Sequence, residues 1–325
     1  MSSHTIAESA RQLGAAADAA WAVLLAARAL TVDLEAAGRR RMFACVGGDA
    51  LLALPAETSN AAMAWHPDRG WECLLPDTDD RAEFLRLYLP ICSATLRRPM
   101  TIGHLGQSLD GFIATPSGDS QFVTGEDNLV HVHRMRALCD AVVVGAGTVA
   151  ADDPQLTTRH VAGPNPLRVV VDPGRRLTPA FKVFNDRQAQ TLYICGRTHL
   201  AQGERQMGAA DVVAIDEDEP RHEVTQVLHI LRSRGCGRVL VEGGGVTVSA
   251  FLEADLLDRL QIAIAPVLIG EGRPAIRLFP QAHLRDCRRP AYRVYRMGGD
   301  VLFDCDLSAG ADAESSARGR ISRVI

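Results

Sequence analysis

Val142-Val143-Val144-Gly145-Ala146-Gly147-Thr148-Val149-Ala150 is the stretch on which the fold turns. An apolar run followed by G-x-G-x-x-A has the form of a strand feeding the phosphate-binding turn of a dinucleotide fold. The next apolar run, Val169–Val171, ends in Asp172, where such a fold holds its ribose-binding acid. The context argues against that reading. A dinucleotide unit needs a continuous crossover helix after the glycines, whereas Asp152-Asp153-Pro154 interrupts it and Pro164 and Pro166 follow. One short helical turn fits here; a full crossover does not.

Outward from that stretch, strand-like apolar runs at 141–144, 168–171, 191–194, 211–215, 238–241 and 260–265 alternate with helix-like segments at 126–138, 221–233 and 246–254. Such alternation predicts an α/β layer structure. Tyr292–Arg296, Gly298-Gly299 and Val301–Asp306 read as a terminal hairpin that adds antiparallel pairing to the sheet. The Ala/Ser/Arg-rich stretch 308–325 reads as a disordered tail. Upstream, residues 5–37 are alanine-rich with helical patterning, and short apolar runs broken by Pro55, Pro67, Pro76 and Pro90 precede a helix through Phe84–Tyr88. Residues 1–97 are therefore expected to form a small α+β domain whose function is not written in it, ahead of a second domain at 98–307.

Composition bounds the function. The 325 residues include 35 basic and 39 acidic ones, a net charge of −4 that argues against a nucleic-acid partner. No apolar run is long enough to cross a bilayer and no signal-peptide pattern opens the chain, so no membrane association and a cytoplasmic location are expected. Lys182 is the only lysine, which leaves one candidate for any lysine chemistry, in a loop with no site around it. The eight cysteines never form Cys-x-x-Cys, so neither a disulfide framework nor a zinc ribbon is expected; they read as buried thiols.

A second glycine site is the better ligand candidate: Val239-Leu240-Val241-Glu242-Gly243-Gly244-Gly245, followed by a helix start. Strand, glycines and helix let backbone N–H groups approach a phosphate, and Glu242 stands where α/β folds collect ligands. Other constellations are poorer. His131-x-His133 on a helix points its rings to different faces, so it makes no metal site. Asp152-Asp153 before proline reads as a cap and turn, and Asp216-Glu217-Asp218-Glu219 as an exposed acidic loop.

Several blocks become specific in combination: Arg98-Pro99, Ser108-Leu109-Asp110-Gly111, Ser117 to Thr124, Arg134-Met135-Arg136, Gly147 to Arg159, Val241-Glu242-Gly243-Gly244 and Ala265-Pro266-Val267-Leu268-Ile269-Gly270. Together they resemble the reductase domain of the bifunctional riboflavin-biosynthesis deaminase/reductase, over about 98–306 and in order. The resemblance implies a dihydrofolate-reductase-like mixed sheet flanked by helices, often as a homodimer. It implies NADPH-dependent reduction of 5-amino-6-(5-phosphoribosylamino)uracil, or the related diaminopyrimidinone, to the ribitylamino compound, so that the partner is a phosphorylated small molecule.

By position, the resemblance assigns Ser120, Arg136, Leu156 and Arg159 to the phosphoribosyl site, with Glu242 reaching the pyrimidine or the ribose chain. It assigns Gly106, Phe122, Thr148, Asp152 and the run Gly244, Gly245, Val246, Thr247, Val248, Ser249 and Ala250 to the cofactor. Asp152, Glu242 and His104 are the candidate catalytic groups, and no metal is expected. The residue types suit the chemistry. The cofactor carries the hydride, the protein positions it, and forked arginines suit a phosphate handle.

Two departures stand out. Residues 1–97 lack the His-x-Glu and Pro-Cys-x-x-Cys of the family's deaminase half, so deamination is not expected. His104 stands where the family usually carries a lysine; strand alternation aims it at the ligand site beside Gly106 and Ser108, and a histidine there is expected to make turnover depend on pH near neutrality. NADPH is expected over NADH, with Arg175, Arg176 and Arg197 as candidates to meet a 2′-phosphate. The competing functions are reduction of a pterin or another heterocycle on the same fold, and a non-catalytic NADPH-binding regulatory protein.

Overall fold

The computed structural model describes residues 3–46, 50–55, 58–217 and 219–308. Beyond Ser308 the expected tail lies outside the described residues, as does Asp218 of the acidic loop. The chain divides into two units between Pro99 and Met100.

The first unit comprises α1 (Ser3–Ala37), β1 (Arg41–Val46), β2 (Ala50–Leu54), β3 (Met63–His66), β4 (Gly70–Cys73) and α2 (Ala82–Cys92). The strands form an antiparallel sheet in the order β2-β1-β3-β4. Thr31 of α1 ties the elements together. Its hydroxyl donates to the Cys92 carbonyl at 2.7 Å and accepts from Trp71 Nε1 at 2.9 Å, so a buried hydroxyl satisfies a buried indole.

The second unit carries β5 (Met100–Ser108), β6 (Phe112–Ala114), α3 (Glu126–Leu138), β7 (Ala141–Gly145), α4 (Ala146–Asp152), β8 (Leu167–Asp172), α5 (Lys182–Asn185), β9 (Thr191–Gly196), β10 (Gln206–Met207), β11 (Ala210–Ile215), α6 (Pro220–Ser233), β12 (Arg238–Val241), α7 (Gly245–Glu253), β13 (Arg259–Ala265), β14 (Arg273–Pro274), β15 (Ala291–Met297) and β16 (Asp300–Asp306). Its large sheet runs β10-β11-β9-β8-β7-β12-β5-β13-β16-β15. From β11 to β13 every pair is parallel, and both ends turn antiparallel. The terminal hairpin supplies one end, as its sequence implied.

The parallel strands read as continuous β-branched runs because helices cover both their faces. Val142, Val143 and Val144 are fully buried, as are Val239, Leu240 and Val241. On β5 the two faces are distinct. A side chain at Gly103 would meet Val248 of α7, whereas His104 faces α3, its ring 5.2 Å from that of His131. Phe251 and Val248 of α7 and Val227 and Leu231 of α6 join Val143, Ile194 and Val241 in one apolar core, each large side chain contributing about 1.5–3 kcal/mol by its burial.

The stretch 142–154 folds as one strand and one seven-residue helix. Asp153 ends α4 in the left-handed conformation, φ +40°, with its N–H returned to the Val149 carbonyl, and Pro154 bars continuation. Asp172 is fully buried and spent on the protein itself: it accepts from the Leu177 N–H and the Tyr193 hydroxyl. Both results dispose of the dinucleotide fold. All eight cysteines are free. Cys92, Cys139, Cys195 and Cys236 are buried, but Cys287 is exposed, because it lies in the irregular, solvent-facing 277–290 segment and not in a strand. Among the described residues no helix is long and apolar enough to cross a membrane.

Candidate active site

Adjacent parallel strands β7 and β12 end side by side, and each runs through glycine into a helix. Gly145 and Gly244 are the extended N-cap residues of α4 and α7, and neither helix is capped by a side chain. In α7 the Thr247 N–H turns back to the Gly244 carbonyl at 3.1 Å, which leaves the Gly245 and Val246 N–H groups for an outside partner. The two turns are clasped by Thr148, whose hydroxyl accepts the Gly244 N–H at 2.8 Å. Gly243 makes the clasp feasible. Its φ is +98°, and a Cβ there would lie 2.6 Å from Thr148 Oγ1, so only glycine allows this approach.

The cofactor run divides by helical period. Val246 is 78% exposed and Thr247 half-buried beside Gly145, but Val248 points into the core and the Ser249 hydroxyl accepts the Arg277 N–H. Gly244, Val246 and Thr247 therefore face the turn, Gly245 is buried against the Pro274 and Ala275 carbonyls, the side chains of Val248 and Ser249 face inward, and Ala250 is partly buried against the core. Gly106 is held close to α3. A side chain there would strike Thr124, 2.7 Å from its methyl group.

Arg136 and Glu242, 106 residues apart, form a two-pronged ion pair. Nε and Nη2 donate to Oε1 and Oε2, each at 2.8 Å, and the side chains are only 10% and 9% exposed. This pair changes the expected division of labour. Both Glu242 oxygens are engaged, and the Arg136 charge is balanced inside the protein. Arg159 is the exposed cation beside it; burial first, and then the Arg136 charge, push its guanidinium down from the ordinary arginine value, against the pull of Glu242. Thr157 braces both arginines, its carbonyl accepting from Arg136 at 3.3 Å and its hydroxyl from Arg159 at 2.8 Å. Leu156, just upstream, is buried with φ +54°, a left-handed backbone that bulky side chains avoid.

Ser120 donates to Asp152 Oδ1 at 3.3 Å, which joins a candidate substrate residue to a candidate cofactor residue. Two residues on, Phe122 is 93% exposed and carries φ +62°. A strained, solvent-facing aromatic is uncommon without a partner for its face.

His104 is 4% exposed; among the described residues neither ring nitrogen meets a partner at full hydrogen-bond geometry, and the Asn128 side chain is the polar group beside it. Burial pushes its imidazole down to about 4; Glu242 pulls it up and Arg136 pushes it down, so it lies within reach of that pair's charges. The ring is neutral at physiological pH. The expected titration near neutrality is corrected accordingly, because removal from water outweighs the nearby carboxylate. His131 is spent on Gln261, donating its Nε2–H to Oε1 at 2.9 Å, and the Gln261 amide NH2 donates to buried Asp304 at 3.1 Å. Arg175 pairs with Glu204 and also donates to the His199 carbonyl, while Arg176 and Arg197 are largely exposed.

Sequence reasoning singled out Ser120, Asp152, Thr148, Gly244, Glu242, Arg136 and Arg159, and the structure joins Ser120 to Asp152, Thr148 to Gly244, and Arg136 to Glu242 with Arg159 beside them. It missed Thr157 and the partner role of His133, whose ring accepts the Arg159 N–H at 2.9 Å. Backbone contacts of that kind leave no mark in a sequence. Among the described residues no cluster of three or more His, Cys, Asp or Glu is arranged to hold a metal.

Comparison with known proteins places this geometry. The chain is 36% identical over 218 residues to 2,5-diamino-6-ribosylamino-4(3H)-pyrimidinone 5′-phosphate reductase of Methanothermobacter thermautotrophicus, covering 64% of this chain and 97% of that protein. To the riboflavin biosynthesis protein RibD of Mycobacterium tuberculosis it is 38% identical over 202 residues, 60% of this chain but only about half of that protein, 51%. A Thermotoga maritima structure described as a diaminohydroxyphosphoribosylaminopyrimidine deaminase/5-amino-6-(5-phosphoribosylamino)uracil reductase matches 70% of this chain and 60% of that one, with TM-score 0.55 and 27% identity. The riboflavin biosynthesis reductase of Saccharomyces shares the fold, with TM-score 0.53 at 20% identity over 70% of this chain and 99% of that one. The expected mixed sheet flanked by helices is thus borne out. The family model of the RibD C-terminal domain matches residues 99–303, and the chain belongs to that family.

Proposed function

We propose that this chain is an oxidoreductase of riboflavin biosynthesis. It reduces 2,5-diamino-6-ribosylamino-4(3H)-pyrimidinone 5′-phosphate, or 5-amino-6-(5-phosphoribosylamino)uracil, to the ribitylamino form with NADPH. The observation that carries the reading is the arginine pair: Arg136 is neutralised by Glu242, and Arg159 is left exposed beside it without an ion-pair partner of its own among the described residues. A cation held in this way wants an anionic group, and a guanidinium fork suits phosphate. Plain dihydropterins offer none, which sets the heterocycle reading aside.

The paired turns fit a dinucleotide. Gly243 and Gly244 carry no side chain, the first turns of α4 and α7 have no side-chain cap, and Thr148, accepting the Gly244 N–H, holds the turns at one spacing. When bound, NADPH supplies the hydride. The turn Gly244 to Thr247 would hold its phosphates through the Gly245 and Val246 N–H groups, and Phe122 would offer a face to a flat ring. Arg159 anchors the substrate phosphate and the Arg136–Glu242 pair walls the ribose chain. Ser120, oriented by Asp152, donates to substrate oxygen. Neutral His104 contributes one donor and one acceptor where the family's lysine would bring a fixed charge. Converting a ribosylamine to a ribitylamine adds hydride to the anomeric carbon and a proton to the released ring oxygen; the residues above orient that carbon against the nicotinamide.

The test is direct. The purified chain is incubated with the pyrimidinone phosphate and NADPH, loss of reduced nicotinamide is followed optically, and the ribitylamino product is identified by mass. Absence of turnover with both phosphoribosyl substrates would refute the assignment.

A further inference from the structure

His133 was set aside above as half of a pair unable to bind metal, and the chemistry proposed so far makes no use of it. It is nevertheless fully buried, and it makes a definite contact. Its Nδ1 accepts the backbone N–H of Arg159 at 2.9 Å. An accepting ring nitrogen is an unprotonated one, so the ring is neutral with its proton on Nε2. Its surroundings keep it so. Burial, then Arg136 one turn along α3, Arg159 itself, and His160, edge-on at 4.5 Å, push the imidazole down to about 3, against the Thr157 backbone.

The segment it holds has no regular structure of its own. Between Pro154 and Pro166 the backbone is fastened by side chains, two from outside the segment and one, Asn165, from within it. Arg168, in the sheet, donates to the Gln155 carbonyl at 3.2 Å; Asn165 accepts the Thr158 N–H at 2.8 Å; His133 takes the Arg159 N–H. Of these fasteners, only His133 grips Arg159 at its own peptide. It also sits three residues before Arg136 on the same helix, so one face of α3 sets both arginines.

We propose that His133 is a positioning residue for the phosphate handle: by accepting the Arg159 N–H it fixes the turn from which the Arg159 guanidinium meets the substrate's phosphate. This rests on the reading of Arg159 given above. His133 touches no substrate and transfers no proton. It works as a constant acceptor, which the charge-free ring supplies near neutral pH.

The experiment compares His133→Phe, which keeps a ring but removes the acceptor, with Arg159→Ala and the double variant. KM and kcat are measured for the pyrimidinone phosphate, and KM for NADPH. His133→Phe is expected to raise the substrate KM about 5- to 20-fold, with the NADPH KM unchanged and kcat affected less. Added to Arg159→Ala it should have no further effect, since its action passes through Arg159. His133→Asn places an oxygen where Nδ1 was and should restore most of the lost affinity; His133→Gln places it one bond too far and should not. Should the Phe variant fail to fold, the Asn and Gln variants carry the same comparison. Multiplying effects in the double variant, or equal KM values for Asn and Gln, would overturn the proposal. A wild type that handles the dephosphorylated compound as well as the phosphate refutes the Arg159 reading beneath it. A wild type that discriminates, with Arg159→Ala impaired and His133→Phe unimpaired, overturns the His133 role alone.

Discussion

Replacing Glu242 by Gln should unsettle the fold as much as the chemistry. The wild-type carboxylate takes two 2.8 Å bonds from Arg136, with both side chains about nine-tenths covered. A glutamine amide can accept one of those bonds but turns its NH2 donors toward a group that is itself only a donor. Arg136 would then keep its charge out of water, with the Thr157 carbonyl at 3.3 Å as partner and Arg159 pushing from the side. Breaking a buried pair from one side costs about 3–5 kcal/mol. The paired change Arg136→Met with Glu242→Leu should recover most of that, since apolar replacement of both partners is often neutral, while leaving no activity. Urea unfolding followed by far-ultraviolet circular dichroism is the assay. Tryptophan fluorescence is unsuitable, because Trp21, Trp65 and Trp71 all belong to the first unit. A loss below about 1 kcal/mol for Glu242→Gln would refute the reasoning, showing a pair screened as at a surface and an Arg136 free to turn toward ligand.

Other outcomes are expected. Arg159→Ala should raise the substrate KM about 10- to 150-fold, the worth of one hydrogen bond to a charged group at about 1.5–3 kcal/mol, with NADPH binding little changed in a calorimetric titration. Specificity constants should favour NADPH over NADH, and equal values would contradict this. Gly243→Ala should lower stability by about 1–2 kcal/mol and weaken NADPH binding, because φ +98° and the 2.6 Å approach to Thr148 both oppose a side chain; thermal denaturation and cofactor titration read the two effects. His104, His131 and His133 all titrate below the usual histidine value when folded, to about 4 for His104 and about 3 for His133. The unfolded chain therefore binds protons first as pH falls, so stability is fully present above about pH 6.5 and declines from there toward pH 4, by about 3 kcal/mol for His104 alone. Urea midpoints at about pH 7.5 and about pH 5 should move closer together in His104→Asn.

The parts of this fold legible in the sequence are those fixed by local pattern. β7, β8 and β12 are runs of β-branched residues covered on both faces, and α7 starts where the glycines stop. The order of strands was not legible, since β12 inserts between β5 and β7 through packing alone, and neither two-residue β10 nor β14 has a pattern long enough to see. Within the site, residue types at family spacing located Arg136, Arg159 and Glu242. That two of them neutralise each other depends on a contact across 106 residues, which no local rule encodes. The run 244–250 read as one contact block. Helical period then turned the side chains of Val248 and Ser249 inward, which a count from the N-cap Gly244 would have shown. The basicity of His104 is not legible in the sequence for a related reason: alternation gives the direction of a side chain but not the depth at which it stops.

Lys182 gives the chain an unusual practical property. It is the only side-chain amine in 325 residues, and it sits at the start of α5 with its N–H on Asp153 Oδ1 at 2.7 Å and its ammonium 3.3 Å from Oδ2. Asp153 closes α4 and opens the segment that carries Leu156, Thr157 and Arg159. Amine-selective labelling therefore attaches a single side-chain dye beside Asp153, at the start of the segment that carries Arg159, without any engineered cysteine or removal of the eight native ones.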